Sequence, residues 1–156
     1  MPSDGGITSE IEVAMVGVLE ALENNDKTVF KTAEQWDDQF DTTAGGLEKF
    51  DRFAPLAFVA FGDAGSNRLG GYDLEQQLRF AVLIGTESKA AGIARTGDAK
   101  HLGISKIRDL VIAAFDKLHP GNGLTCNSIY YDGEYKLVDQ PKRQAQQLNF
   151  TVGYIG

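Results

Sequence analysis

Few side chains in this sequence have the types and spacing that nucleophilic or acid–base catalysis requires. The chain has one cysteine, Cys126, and two histidines, His101 and His119. A catalytic serine or cysteine needs a base beside it, and neither histidine is placed to act as one. His119 ends a predicted helix, where a cation is favoured by the helix dipole. His101 lies in a polar segment, and Cys126 in a predicted strand is expected to behave as a small buried apolar group. We therefore expect no catalytic residues and no enzyme activity.

One acidic stretch, DDQFDTTAGGLE, has the spacing of an EF-hand calcium loop. The ligand positions would be Asp37, Gln39, Asp41, Thr43, Gly45 and Glu48. The position that must turn sharply is normally glycine, but it is Thr42 here, and no convincing amphipathic helix follows. An acidic helix surface before a glycine-rich turn is the favoured interpretation, and a small calcium-binding module or enzyme is the alternative. One cysteine and two distant histidines give no zinc spacing, so we expect no metal and no other cofactor.

The glycine-rich segments do not have the context of a phosphate-binding loop. GDAGSNRLGG, residues 62–71, follows a predicted strand but leads into another strand, and GNG at 121–123 follows a helix. A phosphate cradle needs glycines between a strand and a helix, with the lysine and hydroxyl of a P-loop. The carboxylates of Asp132 and Glu134 are explained by a predicted hairpin turn. We expect no nucleotide site.

The composition is that of a globular, acidic protein. The chain has 156 residues, a net charge of −7 and 18 glycines, which favours one domain over residues 1–156 with many turns. An acidic surface disfavours gripping DNA, since that affinity depends on clustered lysine and arginine; DNA sliding past without binding is compatible with it. The polar N-terminus and short apolar runs predict a soluble protein that is made in a cytoplasm and has no membrane partner.

Hydrophobic periodicity predicts two main helices. Between Ser9 and Glu23 the apolar residues recur at helical spacing, with Ser9 and Glu12 at capping-box positions and 24–26 ending the helix. A second amphipathic helix is predicted from Ser105 to Leu118. The region from Ala33 to Phe53 is ambiguous, with one or two short helices that bury the following residues: Trp36, Phe40, Leu47 and Phe50.

Strand patterns fill most of the remaining chain. We predict a short strand at 28–31, a central strand in PLAFVAF, and strands in LEQQLRFAVLIG and QQLNFTVGY. Asp132-Gly133 predicts a hairpin turn between LTCNSIYY and EYKLV. GDAGSNRLGG is predicted to be a loop, and TESKAAGIARTGDAKHLG a long mobile loop. The fold class is therefore α+β: a mostly antiparallel sheet with two main helices packed on one face.

The predicted C-terminal strand lies in the sheet or near its edge, and edge strands can pair with a neighbouring chain. Pairing with copies of itself and a monomer with a polar, protected edge are both compatible with the pattern.

Several strings spread over nearly the whole chain resemble the tail terminator proteins of Mu-like contractile-tailed phages. They are SEIEVAMVGVLEAL, PLAFVAF, QLRFAVLIGTES, SKIRDLVIAAFDKL and DGEYKLVDQPKRQAQQLNFTVGYI. The resemblance implies a tail-terminator-like fold and a structural virion protein without catalytic residues. Such proteins form a ring, commonly of six copies, at the head-proximal end of the tail tube, stop the growth of tube and sheath, and offer a docking surface for the neck.

The resemblance also implies partners and contact residues. The partners would be other copies of the chain, tube and sheath proteins, and neck or connector proteins, at the tail–neck junction of a phage, a prophage or a tail-like bacteriocin. The segment from Glu87 to His101 lies where such folds have a flexible arm, so Lys89, Arg95 and Lys100 would contact neighbouring subunits or the tube. Another head–tail connector or neck-completion protein is the alternative within this class.

Overall fold

The computed structural model describes residues 6–36, 47–69, 73–98, 100–116 and 129–155, and for 47–49, 65–69, 73–76 and 154–155 it describes the backbone alone. The helices are α1 (Gly6–Ala21), α2 (Leu47–Phe53), α3 (Ile93–Thr96) and α4 (Ile104–Asp116). The strands are β1 (Glu23–Asn24), β2 (Lys27–Thr28), β3 (Thr32–Gln35), β4 (Leu56–Leu69), β5 (Asp73–Glu87), β6 (Ile129–Gln140) and β7 (Arg143–Ile155).

Within these described residues, one large sheet has the strand order β3-β4-β5-β7-β6. Strand β3 runs parallel to β4, and every other neighbouring pair is antiparallel. The predicted C-terminal strand β7 therefore lies inside the sheet, between β5 and β6. The edge on that side is β6.

Helices α1 and α4 pack side by side on one face of the sheet, as predicted. The buried residues of α1 are Ile11, Met15 and Leu19, and those of α4 are Ile104, Ile107, Val111 and Phe115. They meet alternate residues of the strands, among them Leu78, Phe80, Val82, Ile84, Leu148, Phe150 and Val152, in one cluster. This packing confirms the α+β class with two main helices on a mostly antiparallel sheet.

The other face of the sheet is covered at one end by α2. Phe50 of α2 is fully buried in a smaller cluster with Ala54, Leu56, Phe58, Val138 and Ala145. Trp36 packs edge-on against Phe58 with ring centroids 5.6 Å apart and is half-buried. The prediction for Phe50 is confirmed, whereas Phe40 and the side chain of Leu47 lie outside the described residues.

The start of the chain differs from the prediction in two respects. Helix α1 begins at Gly6, so Ser9 lies inside it and the predicted capping box is wrong. The predicted strand at 28–31 is also largely wrong, because β1 and β2 form a two-stranded hairpin whose turn residues Asn25 and Asp26 both have positive φ. A tight hairpin turn favours asparagine and aspartate because they tolerate that conformation.

The segment GDAGSNRLGG, predicted to be a loop, forms strand over most of its length. Strand β4 continues to Leu69 and pairs with β5 down to Asp73, after a register shift between Phe61 and Asp63. The sequence predicted a loop because the small, polar residues of this segment lack the alternation of apolar and polar residues that marks a half-buried strand.

The predicted hairpin at Asp132-Gly133 is wrong. Strand β6 is continuous there, and the pairing with β7 shifts between Tyr131 and Glu134, where Gly133 has a φ of 105°. The glycine therefore serves a β-bulge, which also requires unusual backbone angles. The turn joins β6 to β7 at Pro141 and Lys142 instead.

The segment from Thr86 to Gly103, predicted to be a long loop, contains the end of β5, the short helix α3 and several turns. The predicted helix from Ser105 is confirmed as α4, up to Asp116. His119, Cys126 and residues 37–46 of the EF-hand-like stretch lie outside the described residues. Among the described residues, no helix combines the length and apolar character needed to cross a membrane.

Candidate functional site

A groove of about 730 Å³ opens at the end of the sheet where β4 begins and β5 ends. The turn between β1 and β2 forms one wall, and the segment from Ser88 to Leu102 forms the other. Its polar and charged lining residues include Asn24, Asn25, Lys27, Glu87, Lys89, Asp98, Lys100 and His101. Its apolar lining residues include Val29, Pro55, Ala90, Leu102 and Ile107. The groove is thus a mixed surface, with charged walls and apolar patches.

Two hydroxyl-bearing residues form the floor of the groove. Thr86 is 5% exposed and Ser88 is 7% exposed, and together with Gln144 they are the buried polar residues of the described part of the chain. The Ser88 hydroxyl accepts a hydrogen bond from the Ala90 N–H at 3.3 Å. Burying a polar group normally costs free energy, so two buried hydroxyl-bearing residues at the end of the sheet are unusual.

The wall from Ser88 to Leu102 is fixed to the sheet by its backbone. The Ser88 N–H donates to the carbonyl of Lys142 at 2.9 Å, and the Gly92 N–H donates to the carbonyl of Pro141 at 2.8 Å. The two ends of the turn that follows α3 touch at Gly97 and Gly103. A Cβ on Gly103 would lie 2.5 Å from the Gly97 nitrogen, so glycine is the residue that permits this approach.

Asp98 organises the part of this wall that carries Lys100 and His101. The N–H groups of Lys100 and His101 each donate to Asp98 Oδ1 at 2.8 Å. These hydrogen bonds from the backbone, first that of Lys100 and then that of His101, hold the pKa of the Asp98 carboxyl below its usual range. The His101 ring is 57% exposed, and its Nδ1 lies 3.4 Å from Asp98 Oδ1. The carboxylate therefore acts as a structural acceptor, and the His101 ring remains exposed.

The structure brings together two of the three predicted contact residues. Lys89 and Lys100 both line the groove. Arg95 does not, because its guanidinium donates to Asp139 Oδ1 at 2.8 Å and ties α3 to β6. Lys27 joins the groove from the opposite wall, although sequence reasoning missed it. Within the described residues, no carboxylate lies within ion-pair distance of Lys27, Lys89 or Lys100.

Asp139 is the centre of a polar cluster behind this wall. Its carboxylate accepts hydrogen bonds from Gln144 Nε2 and Arg95 Nη2, both at 2.8 Å, and lies 3.4 Å from Lys136 Nζ. The hydrogen bond from Gln144, then that from Arg95, lowers the pKa of Asp139 to about 2. The ionised carboxylate of Asp139 on β6 thus binds the guanidinium of Arg95 on α3 and the neutral amide of Gln144 on β7.

A second surface of interest is the edge strand β6. Of the five exposed large hydrophobic residues in the described part of the chain, four lie on β6: Tyr130 at 65%, Tyr131 at 37%, Tyr135 at 51% and Leu137 at 36%. The fifth is Val13 of α1, at 56%. Scattered apolar residues on a surface need no explanation, but their concentration on one edge strand does.

The register shows which way these tyrosines point. Tyr130 pairs with Thr151, and Tyr135 with Gln147, on the face opposite to α1 and α4. Tyr131 points to the helix face and packs edge-on against Phe150, with ring centroids 5.9 Å apart. Arg108 of α4 donates to Glu134 at 2.5 Å and lies 5.6 Å from the Tyr131 ring centroid. The strand is therefore held firmly to the core on one side while Tyr130 and Tyr135 face solvent on the other.

On the opposite side of the sheet, part of β4 has no neighbouring strand among the described residues. Strand β3 pairs with β4 as far as Val59, where the Trp36 N–H donates to the Val59 carbonyl at 2.7 Å. From Ala60 to Leu69 no described strand pairs with the outer edge of β4. The sheet thus carries two different edges on its two sides.

Metal-binding groups and paired carboxylates are few in the described ranges. They contain no group of three or more histidine, cysteine, aspartate or glutamate residues placed to hold a metal ion. The paired carboxylates noted in the sequence are engaged separately: Asp132 accepts from the Thr151 hydroxyl at 3.1 Å, and Glu134 from Arg108.

No protein-family model matches this chain, and no curated protein matches it either.

Proposed function

We propose that this protein is a structural subunit of virion assembly that caps the head-proximal end of a phage tail tube. It would end tail polymerisation and form the docking surface for the neck, as the sequence resemblance implies. The observation that carries the proposal is the concentration of exposed tyrosine and leucine on the edge strand β6. Tyrosine is enriched in the cores of protein interfaces and in their energetic hot spots.

The two sheet edges support association into a ring. A ring forms when one surface of a subunit binds a different surface of the next. The outer edge of β4 beyond Val59 and the edge strand β6 are different surfaces on opposite sides of one sheet. A chain with this layout has the two unlike faces that a head-to-tail ring needs.

The charge of the chain supports a channel through which DNA passes without binding. Six copies at −7 each would carry a total of −42. A ring of that sign repels the phosphate backbone, so DNA would move through it without being held.

Electron microscopy of tails from a strain that lacks this gene tests the proposal directly. The expected result is tails of uncontrolled length, and restoration of a uniform length when the gene is supplied in trans. Uniform tails in the deletion strain would refute the terminator function. Finding the protein on head particles and not on isolated tails would favour the connector alternative.

The tyrosines of β6 provide a test at residue level. The double variant Tyr130→Thr/Tyr135→Thr keeps residues that suit a strand while removing the exposed rings. We expect its binding to isolated tails, measured by co-sedimentation, to fall about tenfold or more, as for interface hot spots. Val13→Thr is the control, because Val13 is similarly exposed but lies on α1. Equal binding by the double variant and the control would remove the support from β6.

A further inference from the structure

The groove at the end of the sheet points to a second binding function, independent of tail termination. Lys27 stands on the β1–β2 wall, and Lys89 and Lys100 stand on the opposite wall. All three side chains are exposed, and within the described residues none has a carboxylate partner. The same lining has two carboxylates, Glu87 and Asp98, so the groove carries one excess positive charge on a chain whose net charge is −7.

Contacts within the chain hold both walls of the groove in place. The contact between Gly97 and Gly103 and the acceptor Asp98 fix the wall that carries Lys100. The hairpin turn at Asn25 and Asp26 fixes the other wall. A rigid site loses less conformational entropy on binding than a flexible one, which favours affinity at the same number of contacts.

We propose that this groove binds an acidic peptide segment of a partner protein. The ammonium groups of Lys27, Lys89 and Lys100 would meet carboxylates of the peptide. The Thr86 hydroxyl at the floor and the backbone of the walls would supply hydrogen bonds. Apolar residues such as Val29 and Leu102 would contact apolar side chains of the peptide between its acids.

The lining favours a peptide over nucleic acid. A phosphate backbone is bound by many clustered cations, whereas this groove also presents the carboxylates of Glu87 and Asp98 beside its three lysines. Bare bases would need exposed aromatic side chains for stacking, and the described lining contains none. Apolar patches beside separated cations suit a chain with alternating acidic and apolar residues.

Fluorescence anisotropy with the purified full chain tests the proposal. The probe is a short fluorescein-labelled peptide of alternating glutamate and leucine, and the comparison peptide replaces glutamate by glutamine. We expect the acidic peptide to bind and the glutamine peptide to bind at least several-fold more weakly. The affinity should fall as salt is raised, because salt screens exposed charges.

Variants that replace the lysines of the groove by glutamine test whether the peptide binds there. The triple variant Lys27→Gln/Lys89→Gln/Lys100→Gln should bind the acidic peptide about tenfold more weakly, equivalent to about 1.4 kcal/mol. Lys27→Gln alone should weaken binding about twofold, as expected for one exposed ion pair. A triple variant at Arg52, Arg79 and Lys106, also to glutamine, removes the same charge elsewhere on the surface and should bind like the wild type. Urea unfolding of each variant verifies that the fold is retained.

Five outcomes would overturn the proposal. The first is no binding of the acidic peptide, and the second is equal loss in the two triple variants. The third is loss in the triple variant but none in Lys27→Gln, which would place the peptide on the outer surface of one wall. The fourth is tighter binding of single-stranded oligothymidylate than of the acidic peptide. The fifth is self-association that the triple variant abolishes, with no binding of the peptide. None of these results depends on whether the protein terminates tails.

Discussion

Gly103→Ala is expected to damage the wall of the lysine-lined groove more than its single methyl group suggests. A Cβ at position 103 would lie 2.5 Å from the Gly97 nitrogen and 2.6 Å from the Arg95 carbonyl oxygen. Both neighbours are backbone atoms, so they cannot turn away as a side chain could. An ordinary contact of about 3.5 Å would require the backbone around residue 103 to move roughly 1 Å away from the backbone of residues 95–97.

The magnitude follows from what that separation breaks. The Asp98 N–H donates to the His101 carbonyl at 2.9 Å, and the Gly97 N–H to the Ile93 carbonyl at 2.8 Å. Overpacking at a buried position typically costs about 1–3 kcal/mol, and we expect the upper half of that range because backbone has to move. For a chain of this size about 2 kcal/mol corresponds to a drop of roughly 4–8 °C in Tm.

Urea unfolding followed by circular dichroism measures the change in the free energy of unfolding. Gly17→Ala is the matched control, because a Cβ there meets nothing within 4 Å and the residue lies inside α1. It should stabilise the protein by about 0.5–1 kcal/mol, since alanine is the better helix former. Gly103→Ala with wild-type stability would show that the 88–103 wall is loosely packed, and the argument for a preformed groove would fail.

Three further measurements test the packing around the two surfaces. The carboxyl of Asp139 should titrate near pH 2 in an NMR experiment. Because its pKa is lower in the folded than in the unfolded chain, its contribution to stability is present above about pH 4 and is lost as the pH falls toward 2. A pKa near the ordinary value would contradict the cluster. Asp51→Asn should lower the free energy of unfolding in urea by about 1 kcal/mol, because Arg143 donates to both Asp51 oxygens at 2.7 and 2.5 Å in a partly exposed pair. Asp63→Asn, in a largely exposed pair, should leave the free energy of unfolding almost unchanged. Equal losses in the two variants would refute the distinction. Phe150→Ala should cost about 3–5 kcal/mol, since its ring is buried between α4 and β6, and a loss below about 1 kcal/mol would mean that this junction repacks.

The helices and the buried strands could be predicted because burial leaves a period in the sequence. The repeat in α4 from Ile104 to Phe115 and the alternation in β5 from Leu78 to Ile84 each record one face that meets the core. These patterns are local, so they do not depend on knowing which element packs against which. The two-helix, one-sheet layout follows from them because both helical stripes need the same kind of partner.

The errors fall where backbone geometry, not burial, decides the structure. Asp132-Gly133 has the composition of a hairpin turn and of a β-bulge, because both need a residue with positive φ. The difference depends on the pairing of β6 with β7, which no local window contains. Residues 62–69 form a strand although their sequence has no alternation of apolar and polar residues, so no local pattern marks the strand.

The groove shows the same division between local and non-local information. Lys89 and Lys100 could be proposed as contact residues because they lie in one polar segment, but Arg95 in that segment is consumed by Asp139, 44 residues away. Lys27 faces them only because the β1–β2 turn lies beside the ends of β4 and β5 in the folded chain. The sequence places three cations in one segment. In the folded chain, Arg95 pairs with Asp139 instead of lining the groove, and Lys27 lines it from the opposite wall. The testable unit is therefore the set Lys27, Lys89 and Lys100, and the two walls should act together in any ligand that the groove binds.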